Sequence, residues 1–219
     1  MHTTSVCRMG YVTSPQPSSC AKERVELDRH VGHGRLAEEP DLVKLPYLQR
    51  IINETLWCFR APLLVPHESS NYRTIGGYDV PPSTMLIVNA WSIHRYPKVW
   101  EDPESSRPER YEGLEREVEA YNFIPFGRGR RFCPRAGLAN RVMGLALATL
   151  IQCFEWERIS EKEVDLTEGT GLTMPKVKAI RGYVQSSGVH VKCPFKALII
   201  ALISSCIFVA SQCCSLHFL

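Results

Sequence analysis

The stretch Phe126-Gly127-Arg128-Gly129-Arg130-Arg131-Phe132-Cys133, followed by Pro134-Arg135-Ala136-Gly137, constrains this chain more than any other. Cys133 stands where a glycine-punctuated loop gives way to a long apolar run with helical spacing. A thiol at a helix N-terminus beside arginines is pushed toward thiolate, because the helix dipole and the cations both favour its charged form. A single thiolate can hold haem iron from one side. Gly127 and Gly129 permit the tight backbone that would bring the loop close to a flat cofactor. Arg131 is placed to meet an acidic group such as a haem propionate. The plainer alternative is a buried structural cysteine at a loop–helix junction, which would be the first choice for a cysteine in isolation.

Composition narrows the rest. With 219 residues the chain can form one domain with a sizeable core. Its net charge of +3 is small and spread along the sequence, which gives no case for nucleic acid. Nine cysteines, an odd number without regular spacing, argue against a disulfide framework and fit a reducing cytosolic environment. Residues 1–20 are polar, rich in Ser and Thr, read as disordered, and lack the apolar core of a signal peptide.

From Ala21 the sequence is organised. Ala21 to Asp28 reads as the end of a charged helix, closed by Val31-Gly32-His33-Gly34. His30 and His33 are read as solvated loop histidines. Pro46 suits the first turn of a second helix, in which Leu48, Ile51, Ile52, Thr55 and Leu56 share one buried face. Pro62 to His67 reads as an extended strand. Tyr78 to Val80 and Thr84 to Asn89 are expected to pair as a hairpin around Pro81-Pro82-Ser83. Ala90 to Arg95 is a short helical piece. Beyond Cys133, residues Leu138, Val142, Leu145, Ala146, Thr149, Leu150 and Cys153 give a helix with one apolar face. Glu161 to Leu166 is a polar loop, and Gly169 to Pro175 a final hairpin. Ala197 to Leu219 lacks Asp, Glu, Lys and Arg and is long enough to span a bilayer, although its serines and cysteines also fit a non-native tail. Cys206, Cys213, Cys214 and His217 match no recognised zinc spacing.

The order Phe, two residues, Gly, one residue, Arg, one residue, Cys resembles the haem-thiolate loop of the cytochrome P-450 monooxygenases. Pro108-Glu109-Arg110-Tyr111 resembles the same family's Pro-Glu-Arg-aromatic motif. The likeness runs from about Ala21 to Ile180 and is nearest to plant enzymes of the isoflavone 2'-hydroxylase kind. It implies a mainly α fold with small β-sheets (α+β), the C-terminal part of the P-450 fold. Residues 181–196 are then a linker and 197–219 an apolar tail.

The resemblance also implies haem as cofactor, with Cys133 as iron ligand and Phe126, Gly129, Arg131, Arg95 and His67 around the haem. It implies a small apolar substrate, hydroxylated with O2 and electrons from an NADPH-dependent reductase. The implied location is the cytosolic face of the endoplasmic reticulum membrane. The family's N-terminal anchor and long central helix have no counterpart here, so a non-catalytic remnant and a non-folding fragment stand beside the enzyme reading.

Two departures are expected to matter. The family has glycine two residues after the cysteine, and Arg135 at that place is expected to clash or be forced outward. The family's helix glutamate, here Glu54, is followed three residues on by arginine, where this chain has Trp57. Arg60 lies about 240° further round the helix and cannot replace that arginine. The triad that Arg110 completes in the family is therefore expected to be broken.

Overall fold

A computed structural model describes residues 17–58, 64–103, 105–113, 121–158 and 182–186, with the side chains of 17–21, 64–65, 131, 156–158 and 182–186 left aside. Helix α1 (Pro17–His30) begins inside the stretch read from composition as disordered: residues 17–20 are helical. It ends as its glycine predicts. Val31 and Gly32 both donate to the Leu27 carbonyl, and Gly32 takes the left-handed φ of 80° that a side chain resists.

Helix α1 contributes charge to the ends of two other helices. Helix α2 (Pro46–Cys58) starts after Leu45, which has no side chain to cap it. The Glu26 carboxylate takes that role, accepting from Tyr47 N at 2.9 Å and Leu48 N at 3.1 Å, while Pro46 brings no N–H to satisfy. Arg24 does the converse for helix α4 (Ala136–Cys153). Its guanidinium donates to the Ile151 carbonyl and the Phe154 carbonyl and pairs with Glu155 at 3.0 Å. Anion at a helix start and cation at a helix end both oppose the macrodipole favourably.

These helices enclose the main core, with Leu27 of α1, Leu45, Leu48, Ile51 and Ile52 around α2, and Leu147, Ala148 and Ile151 of α4. The face predicted for α2 is the one buried. In α4 the predicted face holds from Ala146 onward, but Leu138 at its start is 45% exposed. Helix α4 is long and apolar enough to cross a membrane by length and composition, yet most of it is buried inside this core. A 3-10 turn, Glu39–Lys44, closes over α4. An added Cβ at Gly144 would lie 3.1 Å from Leu42 Cδ2, so glycine permits that approach. The turn is braced by Asp41, whose carboxylate takes both arms of Arg35 at 2.6 and 2.9 Å and the Glu38 N–H at 2.9 Å. Gln152 of α4 secures the same segment, accepting from Ala37 N at 2.9 Å.

The described residues also form three two-stranded antiparallel sheets. The expected hairpin around Pro81-Pro82-Ser83 does not form. Strand β2 (Arg73–Ile75) pairs instead with β3 (Tyr78–Val80), because Gly76 and Gly77 both take positive φ and make a two-residue turn matched to strand twist. Strand β1 (Leu64–Glu68) pairs with β4 (Met85–Asn89), placing His67 opposite Leu86. Met85, Leu86 and Ile87 are all exposed, at successive positions that alternate between the two faces. Strand β5 (Phe154–Arg158) pairs with β6 (Gly182–Ser186). That pairing corrects the reading of residues 181–196 as linker, since β6 is part of the fold. The expected loop at Glu161 to Leu166, the hairpin at Gly169 to Pro175 and the tail from Ala197 lie outside the described residues.

Two outcomes follow. Glu26→Ala leaves two N–H groups at the start of α2 without their acceptor and should lower stability by about 1–2 kcal/mol in urea denaturation, with Glu26→Gln costing less. The guanidinium of Arg35, and next the Glu38 N–H, hold the Asp41 carboxyl well below the usual carboxylate range. Its contribution is present above the unfolded value of about 3.9 and is lost as pH falls below it. Asp41→Asn should therefore flatten the acid limb of the stability profile, followed by circular dichroism below about pH 4.

Candidate functional site

The loop before α4 is held by its own backbone. Cys133 N donates to the Phe126 carbonyl at 3.0 Å, Phe132 N to the Gly129 carbonyl at 3.1 Å, and Gly127 N to the Ile124 carbonyl at 3.2 Å. Gly127 and Gly129 have φ of 75° and 70°, a region costly for any residue with a Cβ. Nothing lies within 4 Å of where a Gly129 Cβ would stand, so one side of the loop is open to a flat group. Ala136 N then donates to the Cys133 carbonyl at 3.2 Å as the chain turns into α4.

Arg135 caps α4 at φ −106° and ψ 12°, outside the left-handed region that would require glycine. Cys133 is buried, 4% exposed. The open side of the loop and the buried sulfur fit a haem-thiolate ligand. Arg131 closes the 3-10 turn Gly129–Arg131, and its side chain is outside the described set.

Four of the six sequence-derived residues, Phe126, Gly129, Arg131 and Cys133, share this loop. His67 and Arg95 belong to a neighbouring unit. Strand β1 packs on helix α3 (Ala90–His94), whose first turn is capped by Asn89 accepting from Ser92 N at 2.9 Å. Arg95 follows that helix, half-buried, with its guanidinium 4.7 Å from the Trp91 ring centre. The two units are joined by His94, a residue the sequence reading did not single out. It is fully buried, its Nε2 accepts from Ile124 N at 2.9 Å, and its ring stacks on Phe123 at 5.4 Å. A buried histidine between an apolar residue and an arginine carries no distinctive sequence signal, because its partner is a backbone N–H.

From Phe123 a row of aromatic contacts runs through Tyr111 and Trp100 to Trp57 at the end of α2. There Glu54 is fully buried. Its Oε1 accepts from Arg107 N at 2.7 Å, and its Oε2 lies 3.0 Å from Arg110 Nε, off the line that a hydrogen bond needs. The Cys58 sulfur approaches Oε1 at 3.9 Å. Arg110 is otherwise held by the carbonyls of Glu101, Asp102 and Ser105 and lies over the Trp57 ring at 4.3 Å. Burial pushes the Glu54 carboxyl up to about 7 despite the opposing pull of Arg110 and the Arg107 N–H. Among the described residues one cation faces this buried carboxylate, and an indole lies on the far side of that cation.

Between α2 and the Cys133 loop lies a cleft of about 820 Å³, lined among others by Arg50, Asn53, Phe126, Arg128, Phe132 and Arg141.

Comparison with known proteins agrees with this geometry. The cytochrome P450 family model matches residues 12–181. Over 165 residues the chain is 56% identical to the (+)-piperitol/(+)-sesamin synthase CYP81Q2 of Sesamum radiatum, covering 75% of this chain and 32% of that protein. It is 50% identical over 160 residues to the isoflavone 3'-hydroxylase of Medicago truncatula, covering 73% of this chain and 31% of the relative. A zebra fish cytochrome P450 solved with abiraterone superposes with a TM-score of 0.75 at 27% identity, covering 84% of this chain and 43% of that one. The chain spans about a third of the length of these curated relatives. The mixture of helices with small antiparallel sheets is part of the P450 fold, and the chain belongs to the cytochrome P450 family, among plant members of the CYP81 type.

Proposed function

We propose that this chain is the iron-holding portion of a haem-thiolate monooxygenase that hydroxylates small plant secondary metabolites. The observation that carries the reading is the Cys133 loop, in which two positive-φ glycines and the Phe126 carbonyl present a buried cysteine sulfur immediately before a helix start. Cys133 would ligate iron through its thiolate. Arg131, Arg95 and His67 would meet the propionates, and Phe126 and Gly129 would lie along the cofactor. When bound, haem supplies the oxygen-activating chemistry, and the thiolate's electron donation favours O–O cleavage. The loop's own task is positional. It holds the sulfur in a dry setting, and the N-terminal dipole of α4 favours its charged form.

The electron donor is proposed to be a flavoprotein reductase, the substrate small and apolar, and the location the cytosolic face of the endoplasmic reticulum. These belong to the full-length relatives, of which the chain spans a third. Turnover by this chain alone is not part of the proposal. A second reading, a non-catalytic remnant, is favoured by one observation: among the described residues the buried Glu54 faces a single cation.

Haem titration of the purified protein under reducing conditions tests the assignment. The reduced protein should take up haem and give a thiolate-type absorption band with carbon monoxide, and Cys133→Ala should lack it. An unchanged thiolate band in Cys133→Ala would overturn the ligand assignment, and no haem uptake by the reduced chain would leave the remnant reading standing. Arg135→Gly should raise haem occupancy, and unchanged occupancy would show that the arginine side chain is accommodated beside the cofactor.

A further inference from the structure

The stack at the end of α2 has a geometry that the family's two-cation arrangement would not give. Glu54 is sealed from solvent and, among the described residues, meets a single cation, Arg110, whose Nε is misaligned for hydrogen bonding. Arg110 has little need of that carboxylate. Three backbone carbonyls accept from its terminal nitrogens, and the face of the Trp57 ring lies 4.3 Å away. Other charged groups nearby are committed elsewhere. Arg107 approaches Asp102 at 3.9 Å and offers Glu54 only its backbone N–H, and Arg50 pairs with Glu112 at 3.4 Å. From α2 itself the one titratable group facing Glu54 is the Cys58 thiol. Arg60 lies outside the described residues.

We propose that Glu54, Arg110 and Trp57 form a proton-sensitive latch between α2 and the Pro108–Tyr111 turn, closed when Glu54 is protonated and loosened when it ionises. With Glu54 neutral, Arg110 keeps its carbonyls and its ring, and Oε1 keeps the Arg107 N–H. With Glu54 charged, a buried anion must be compensated by one poorly aligned cation, and removing the ion from water costs more than that contact returns. The folded carboxyl titrates near 7, above the ordinary 4.5 of the unfolded chain. The latch therefore contributes its full stability below about pH 4.5 and loses it as pH rises through about 7. The folding equilibrium constant should fall by on the order of a hundredfold across that window. The same latch anchors the aromatic row that leads to Phe123 and His94, so its loosening is transmitted toward the Cys133 loop.

The experiment is urea denaturation of the full chain between pH 5 and pH 8.5, followed by tryptophan fluorescence, for wild type, Glu54→Gln and Trp57→Arg. The wild-type midpoint should fall as pH rises from 5 and level off above about pH 7. Glu54→Gln should fall less steeply than wild type, the buried Glu23 carboxyl, also raised, supplying what slope remains. Trp57→Arg restores a second cation beside Glu54, so its dependence should shift to lower pH by at least one unit. A wild-type midpoint that does not fall with pH, or a Glu54→Gln protein with the wild-type slope, overturns the latch. If Glu54→Gln does not fold, Trp57→Arg decides: a slope shifted down supports the latch, and an unshifted slope overturns it.

Discussion

Helix α2 is pinned by a carboxylate at each end, and the rest of the fold is arranged so that those two carboxylates can exist. At its start Glu26 is half-exposed and faces two N–H donors, a setting in which charge is welcome. Near its end Glu54 is sealed and faces one distorted ion pair, a setting in which charge is penalised. The same chemical group therefore serves two opposite electrostatic purposes along one helix. Around the first, Arg24 and Glu26 bring α1 against α2 and α4 and close the apolar core. Around the second, aromatic rings pack against its cation, and these rings connect α2 to the segment that carries Cys133.

Much of this was legible in the sequence, for identifiable reasons. Helical periodicity in Leu48, Ile51 and Ile52 gave the buried face of α2, because the spacing of apolar residues is a local property. The loop from Phe126 to Cys133 announced its glycines, and both take the positive φ expected of them. That an indole stands where the family has the second triad cation could be read from Trp57 alone. What the sequence did not show were pairings settled at a distance. Strand β4 pairs with β1 across an intervening hairpin, and the turn that decided the nearer pairing was Gly76-Gly77 rather than the prolines. His94 escaped notice because its role is to accept a backbone hydrogen bond from Ile124. A glycine in a family motif does not reveal whether its φ is positive; at Arg135 the backbone stays outside the left-handed region.

The ribbon formed by β1 and β4 bears on how the protein behaves among other copies of itself. Met85, Leu86 and Ile87 leave apolar surface on both faces of a sheet that is two strands wide among the described residues, and a two-stranded ribbon gains little from its own pairing. Exposed strand edges are templates for any extended segment they meet. Crowding at a ribosome, or concentration in a test tube, would therefore set a kinetic contest between intramolecular cover and intermolecular pairing, and dilution would favour the monomer.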